Sequence, residues 1–171
     1  VSSDSGYILK QAKKNGCIPI NRPKHLCNDK ALLEEAIQHA VNYCQNIHNN
    51  KISNFIILLC NSICVRSADI EEGLRILKKI KKIDTVTTVS KFNNFSPVRA
   101  KKIIGQKLLN YIPNKNLKKF TPLSCDRDKS VHSYYCTQSF TISRASVLKD
   151  MKKNPFPFNW MSDKTSYLFQ D

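Results

Sequence analysis

An unbroken apolar run near the middle of the chain places the strongest constraint on its fold. Between Asn54 and Cys60 the chain reads Phe-Ile-Ile-Leu-Leu, which has the length of a strand and no polar residue within it. A run of this kind is typical of a parallel strand that is buried on both faces. We therefore expect residues 54–60 to form a central strand of a sheet that helices cover on both sides.

Patterns of helix and strand alternate along the chain. Residues 30–48 carry apolar side chains at spacings of three and four, and Asn28 or Asp29 is suited to cap such a helix. Residues 67–80 repeat this pattern, with Ser67 as the expected cap. The alternation predicts an α/β fold, a three-layer, mostly parallel sheet with helices on both faces. The remaining predicted elements are a helix over 5–15 that ends at Gly16, strands over 85–90 and 134–142, and a helix over 143–152.

The composition indicates a single basic domain. The 171 residues suffice for one ordinary domain, and 28 basic against 13 acidic side chains give a formal net charge of +15. Residues 91–171 hold fifteen of the basic and five of the acidic side chains. This excess favours an anionic partner, either a nucleotide, a sugar acid or nucleic acid. The sequence has no stretch of about 18 uncharged apolar residues, so we expect no membrane partner.

The seven cysteines and four histidines do not form a metal-binding pattern. The cysteines are irregularly spaced, C-x-x-C does not occur, and no histidine pairs with them at a ligand spacing. We expect reduced, buried cysteines of a cytoplasmic protein and no metal ligands within this chain.

Polar and basic side chains follow two of the predicted strands, where an α/β sheet binds its ligands. Asn61 and Arg66 follow the first strand, and Arg66 can either bind an anion or pair with Asp69. After the second strand, residues 91–103 combine two Phe, two Asn and several cations. This composition suits a sugar acid or a phosphate, and it equally suits single-stranded nucleic acid.

Several short motifs occur in an order that resembles one enzyme family. They resemble the motifs of the acylneuraminate cytidylyltransferases, which make CMP-sialic acid and related CMP-linked sugars. The resemblance extends over nearly the whole chain. The matching segments are Val1-Ser-Ser-Asp, Asn21-Arg-Pro-Lys-His-Leu-Cys-Asn-Asp, Leu58-Leu-Cys-Asn with Arg66, Phe95-Ser-Pro-Val-Arg-Ala-Lys-Lys-Ile, Cys125-Asp-Arg-Asp and Phe158-Asn-Trp-Met.

The resemblance implies a reaction, its substrates and a set of site residues. The reaction is transfer of CMP from CTP to an acidic nine-carbon sugar with release of pyrophosphate, supported by Mg²⁺ in the full-length enzyme. It implies one cytidylyltransferase-like domain over 1–171 of the nucleotide-diphospho-sugar transferase type. Within that domain, 97–133 is an inserted arm through which a homodimer forms. The implied site residues are Arg22 and Asn61 for the nucleotide, and Arg99, Arg127, Phe156 and Phe158 for the sugar acid.

The departures from the family pattern leave a second interpretation of the function open. The family's basic Gly-containing loop and its Asp-x-Asp metal pair are missing from these residues, so we expect a piece of a longer chain that is inactive alone. Leu32 and Leu33 stand where other members have two serines, and Cys60 stands in place of a glutamine. The alternative is a non-catalytic or degenerate α/β module that binds a sugar nucleotide or, less favoured, nucleic acid.

Overall fold

The computed structural model describes residues 1–49, 51–155 and 157–170. The chain forms two compact units: unit 1 comprises Val1–Thr87 and Ser139–Tyr167, and unit 2 comprises Thr88–Gln138 and Leu168–Asp171. The helices are α1 (Gly6–Lys14), α2 (Leu33–Ile47), α3 (Ser67–Lys79), α4 (Asn114–Leu117) and α5 (Ala145–Leu148). The strands are β1 (Ser2–Ser3), β2 (Ile20–Asn21), β3 (Asn54–Leu58), β4 (Thr85–Lys91), β5 (Lys101–Ile104), β6 (Lys107–Asn110), β7 (Tyr134–Arg144) and β8 (Thr165–Phe169).

The three long helices of unit 1 lie where the sequence predicts them, but two begin at a different residue. The N-cap of α2 is Leu32, whose backbone N–H donates to Glu35 Oε2 at 3.3 Å. Asn28 instead closes the preceding turn by accepting from the N–H of Lys30. The N-cap of α3 is Arg66 rather than Ser67. The predicted cap is therefore wrong by three or four residues for α2 and by one residue for α3, because apolar spacing locates the body of a helix better than its first residue.

The sheet that contains β3 is mixed, so the prediction of a mostly parallel sheet is not confirmed. Its strand order is β3-β7-β4-β8, and β3 pairs with β7 in the antiparallel direction. Hydroxyl contacts join Thr85 to Ser143 and Thr87 to Thr141, so residue numbers rise along β4 as they fall along β7. A separate two-stranded sheet joins β1 and β2 in parallel.

β3 lies at an edge of this sheet, not at its centre. Phe55 and Ile57 pack against the unit 1 core, while the alternate residues Ile56 and Leu58 are 40% and 56% exposed. The apolar run correctly predicts a strand, but apolarity alone does not specify the direction of pairing or the position within a sheet.

The core of unit 1 joins α2 to the segment that follows β7. Its buried members are Ile37, Val41, Val147, Leu148, Met151 and Trp160. β4 also carries buried threonines, whose hydroxyl groups bond across the sheet instead of facing water. Buried hydroxyls are tolerated in strands when they are paired in this way.

Unit 2 contains a β-hairpin that the sequence pattern did not reveal. β5 and β6 pair in the antiparallel direction, and Ile103 lies opposite Leu108. Gly105 has φ +58° at the first position of the two-residue turn, which suits a type II′ hairpin. The hairpin falls inside 97–133, the segment predicted to be an inserted arm.

Candidate functional site

A cleft of about 350 Å³ opens in unit 1 between β1, the turn after β2 and the start of α2. Its lining combines the charged side chains Asp4, Arg22 and Asp29 with the apolar side chains of Leu32 and Leu33. Both leucines are exposed although they lie at the start of a helix whose next turn is buried. A cleft with a few polar groups and an apolar wall is the usual form of a small-molecule site.

Arg22 is held in this cleft by the parallel pairing of β1 and β2. Its backbone N–H donates to Ser3 O at 3.0 Å, its Nη2 donates to Ser2 O at 3.0 Å, and its Nε donates to Ser2 Oγ at 3.4 Å. A guanidinium has five N–H donors, so three remain for a ligand. The structure therefore gives Arg22 a fixed position from which it can donate to a bound molecule.

Asn61 lies outside that cleft, in the exposed turn that follows β3. The turn is closed by a bond from the N–H of Ser62 to Leu59 O at 3.0 Å. Arg66, a few residues further on, donates from Nε and Nη2 to the two carboxylate oxygens of Asp69, each at 2.9 Å. Of the two roles that the sequence left open for Arg66, the structure therefore shows the ion pair.

In unit 2, Arg99 bonds to the segment of chain that carries Arg127. Arg99 Nη1 donates to Cys125 O at 2.9 Å, and Arg127 Nη1 donates to Asn94 Oδ1 at 2.7 Å. Both guanidinium groups remain exposed to solvent. Arg127 Nε also lies 3.7 Å from Asp128 Oδ2, so this guanidinium already has a carboxylate beside it. Both arginines keep further N–H donors that can bond to a carboxylate or phosphate group.

Asn93 organises this part of unit 2, and sequence reasoning did not single it out. Its side chain is buried; Nδ2 contacts Arg127 O at 3.2 Å and His132 Nδ1 at 3.0 Å, and Oδ1 accepts from the N–H of Ser133 at 3.1 Å. These bonds tie the turn after β4 to the segment that carries Arg127. The signal in the sequence was the Asn-Asn pair, but nothing there showed which of the two would be buried.

An aromatic cluster lies next to these residues in unit 2. The ring of Phe92 stacks on Phe95 at 4.9 Å between centroids and contacts Tyr135 at 4.8 Å. All three rings are exposed. Exposed aromatic faces beside cations can contact the apolar face of a sugar ring or a base.

Of the two aromatic residues predicted to contact the sugar acid, Phe158 lies within the described residues. Phe158 lies in unit 1, where it packs against the core cluster with its ring 5.5 Å from that of Trp160. Phe156 lies outside the described residues.

The part of the chain that the structure describes offers no group of three or more His, Cys, Asp or Glu side chains that could hold a metal ion. We therefore assign no step to a metal held by these residues. Over the same residues, no helix has the length and apolar character needed to cross a membrane.

Comparison with known proteins gives a likeness of fold. No protein-family model matches the sequence, and a search of curated proteins finds no match. Among solved structures, the chain is similar to a CMP:2-keto-3-deoxy-manno-octonic acid synthetase complexed with CTP, with a TM-score of 0.57 and 12% identity. The match covers 99% of this chain and 71% of that one. The chain thus has a mixed α/β fold that is similar to the fold of that synthetase.

Proposed function

We propose that this chain belongs to a cytidylyltransferase that transfers CMP from CTP to a nonulosonic, sialic-acid-like sugar acid and releases pyrophosphate. The observation that supports the proposal is the fold, because a synthetase complexed with CTP matches 99% of the chain. The ordered motifs of the sequence favour an acylneuraminate-type substrate among the acidic sugars.

The reaction defines what the protein must provide. The anomeric hydroxyl oxygen of the sugar acid bonds to the α-phosphorus of CTP, the bond from that phosphorus to the bridging oxygen breaks, and pyrophosphate leaves. The proton of the hydroxyl group passes to solvent water in the same step, so that atoms and charge balance. Because the protein forms no covalent bond here, its contribution is to position the reactants and to stabilise developing negative charge with cations.

The nucleotide half of the proposal concerns the cleft of unit 1. The exposed side chains of Leu32 and Leu33 offer an apolar surface to a nucleobase, and the remaining donors of Arg22 can bond to its ring. We also propose Asn61 as a polar contact to the nucleotide. It lies outside the cleft, in the turn that follows β3, and the assignment is supported by the motif Leu58-Leu-Cys-Asn alone.

The sugar-acid half concerns Arg99 and Arg127 in unit 2. Both are anchored by a hydrogen bond to a neighbouring part of that unit and both keep exposed donors, which suits the carboxylate of the sugar acid. The exposed parts of the Phe92 and Tyr135 rings are available to its apolar side. Phe158 already packs in the unit 1 core, so the proposal does not depend on it.

Two further parts of the proposal concern the assembly and the metal. We propose a homodimer formed through the segment 97–133, whose hairpin exposes aliphatic side chains on both faces. We also propose that Mg²⁺ assists the reaction in the full-length enzyme through ligands outside the described residues.

A non-catalytic or degenerate α/β module is the second candidate. Leu32, Leu33 and Cys60 replace polar residues of the family pattern, and this favours a module that binds a sugar nucleotide without turning it over. Binding to nucleic acid is the less favoured form, supported by the aromatic cluster beside the cations of unit 2.

The sugar-acid half can be tested by calorimetric titration of the chain with N-acetylneuraminic acid and, separately, with CTP. Because Arg99 is exposed, its bond to a carboxylate should be worth about 1–2 kcal/mol. We therefore expect Arg99→Ala to weaken binding of the sugar acid roughly 5- to 30-fold and to leave CTP binding unchanged. Lys119→Ala, an exposed cation of the same unit, is the matched control and should change neither affinity.

Three results would contradict parts of the proposal. Equal losses from Arg99→Ala and Lys119→Ala indicate a diffuse basic surface rather than a carboxylate site. Tight binding of single-stranded nucleic acid that weakens steeply with salt favours the nucleic-acid module. Binding of both substrates by the full-length protein, without release of pyrophosphate when Mg²⁺ is present, favours the non-catalytic module.

A further inference from the structure

Buried Asn93 joins the two segments of unit 2 that carry the arginines. Its backbone O accepts from the N–H of Ser96 at 3.3 Å, and Ser96 O accepts from the N–H of Arg99 at 2.9 Å. On its other side, Asn93 Nδ2 donates to Arg127 O at 3.2 Å. Asn93 therefore connects the backbone of Arg99 to the backbone of Arg127 through short hydrogen-bonded steps.

The contacts of the Asn93 amide determine the protonation state of His132. Oδ1 accepts from the backbone N–H of Ser133 at 3.1 Å, and Nδ2 gives one of its two hydrogens to Arg127 O. The second hydrogen of Nδ2 is left for His132 Nδ1, at 3.0 Å. Nδ1 is then the acceptor, which requires a neutral imidazole with its proton on Nε2.

A proton added to His132 removes this acceptor. Both ring nitrogens of an imidazolium are donors, so an N–H group of the ring would face the N–H group of Asn93. The side chain of His132 is exposed, so it can take up a proton from solvent while the chain stays folded. The buried amide of Asn93 then loses one of its three side-chain bonds.

The charged groups near His132 along the chain are occupied with one another. Arg127 Nε lies 3.7 Å from Asp128 Oδ2, and Lys129 Nζ lies 3.7 Å from Asp126 Oδ2. Within the described residues, Asn93 is the one hydrogen-bond partner of the His132 ring. Its protonation therefore acts on Asn93 and not on an ion pair. The other charged or titratable side chains of the adjoining segments are exposed: Lys91, Tyr134 and Tyr135.

We propose that Asn93 is a positioning residue of the sugar-acid site, and that it holds the segment with Arg127 in place while His132 is neutral. The inference rests on the proposed function, which assigns the carboxylate of the sugar acid to Arg99 and Arg127. Acidification should then weaken sugar-acid binding although the carboxylate of the ligand stays ionised. Asn93 and His132 act through the arginines and take no part in bond formation at phosphorus.

Calorimetric titration of the chain with N-acetylneuraminic acid at pH 7.5 and at pH 5.5 tests this inference. We expect wild type to bind roughly 5- to 10-fold more weakly at pH 5.5, because a hydrogen bond of a buried amide is lost. His132→Gln has a side-chain oxygen that accepts at both pH values, so its affinity should change little between them. His48→Gln is the matched control: His48 is an exposed histidine of unit 1, and this variant should keep the wild-type pH dependence.

Amide hydrogen exchange at Ser133, measured by NMR, gives a readout that needs no ligand. Its N–H donates to Asn93 Oδ1, so its protection factor should fall several-fold between pH 7.5 and pH 5.5 in wild type and stay constant in His132→Gln.

Two results would overturn the role of Asn93 and His132. One is a wild-type chain whose sugar-acid affinity or Ser133 protection does not change with pH, and the other is a His132→Gln variant that keeps the wild-type pH dependence. If wild type does not bind N-acetylneuraminic acid at pH 7.5 but its Ser133 protection still depends on His132, the proposed function fails and the coupling of His132 to Asn93 stands.

Discussion

Buried Asn93 gives the two arginines of unit 2 their common environment. It bonds to the backbone oxygen of Arg127, to His132 and to the N–H of Ser133, while the neighbouring Asn94 is exposed and accepts from the Arg127 guanidinium. Adjacent residues with identical side chains thus have different roles. The sequence could indicate that a polar turn follows β4, but burial is decided by the segment near residue 130, which is distant along the chain.

A second feature at the scale of single residues concerns the cysteines. The sequence predicts that they are buried, but Cys17, Cys60 and Cys125 are exposed. Cys136 is partly buried, and desolvation by burial raises the pKa of its thiol. Composition and spacing exclude a zinc-finger pattern here, but they do not report the exposure of each thiol.

The raised pKa of Cys136 leads to a prediction about alkylation. A higher pKa leaves a smaller thiolate fraction at any pH below it, and the thiolate is the form that reacts. We expect Cys136 to react with iodoacetamide more slowly in the folded chain than in denaturant at pH 8, and its rate to rise at a higher pH in the folded chain than in denaturant. Peptide mass spectrometry over pH 7–10 measures the rate in both conditions. Equal rates and equal pH dependence in the two conditions would show that burial does not raise the pKa of this thiol.

At the scale of elements, helices and strands with a strong sequence pattern were predicted correctly. Elements with a weak pattern were not predicted. The positions of α2 and α3 follow from apolar spacing, and the end of α1 follows from Gly16. The strands β3, β4 and β7 follow from apolar or β-branched runs. The β5–β6 hairpin and β8 were not predicted. Their apolar residues, such as Ile103 and Leu108, are exposed, so they do not produce the alternation that marks a strand with one buried face.

The connection between α3 and β7 depends on one arginine. Arg144, at the end of β7, donates from Nη2 to Leu77 O at 2.8 Å and from Nε to Ile83 O at 3.2 Å. Its Nε also lies 3.4 Å from Asp84 Oδ1. Because Arg144 is partly buried, its removal leaves carbonyl groups and a carboxylate without these partners.

We therefore expect Arg144→Met to lower the free energy of unfolding by about 2–3 kcal/mol, since charged hydrogen bonds are lost and the apolar stem is kept. Arg75→Met is the matched control: Arg75 pairs with Glu72 on the exposed surface of α3, and such a pair is worth under about 1 kcal/mol. Urea denaturation followed by circular dichroism measures both. Equal and small losses would show that the bonds of Arg144 to the end of α3 are replaced by water without cost.

At the scale of the whole molecule, the net charge of +15 and the exposed apolar side chains act in opposite directions on self-association. Like charges repel two copies of the chain, and exposed aliphatic side chains attract them. The β5–β6 hairpin has both properties, because Lys101, Lys102 and Lys107 lie among its aliphatic residues. A dimer formed through this hairpin should therefore become stronger as salt screens the lysines.

The final prediction tests the proposed homodimer by sedimentation velocity. Ile103 and Leu108 face each other across the hairpin and are 76% and 67% exposed. We expect the wild-type chain to dimerise at micromolar concentration, and the dimer to be tighter at 0.5 M than at 0.05 M salt. We expect Leu108→Lys to be monomeric, because it places a further positive charge in the contact. Ile63→Lys is the matched control: Ile63 is 91% exposed in unit 1, so the same change of chemistry there should leave the dimer intact. A wild-type chain that is monomeric at all salt concentrations, or a dimer that Leu108→Lys does not weaken, would show that this hairpin is not the contact between copies.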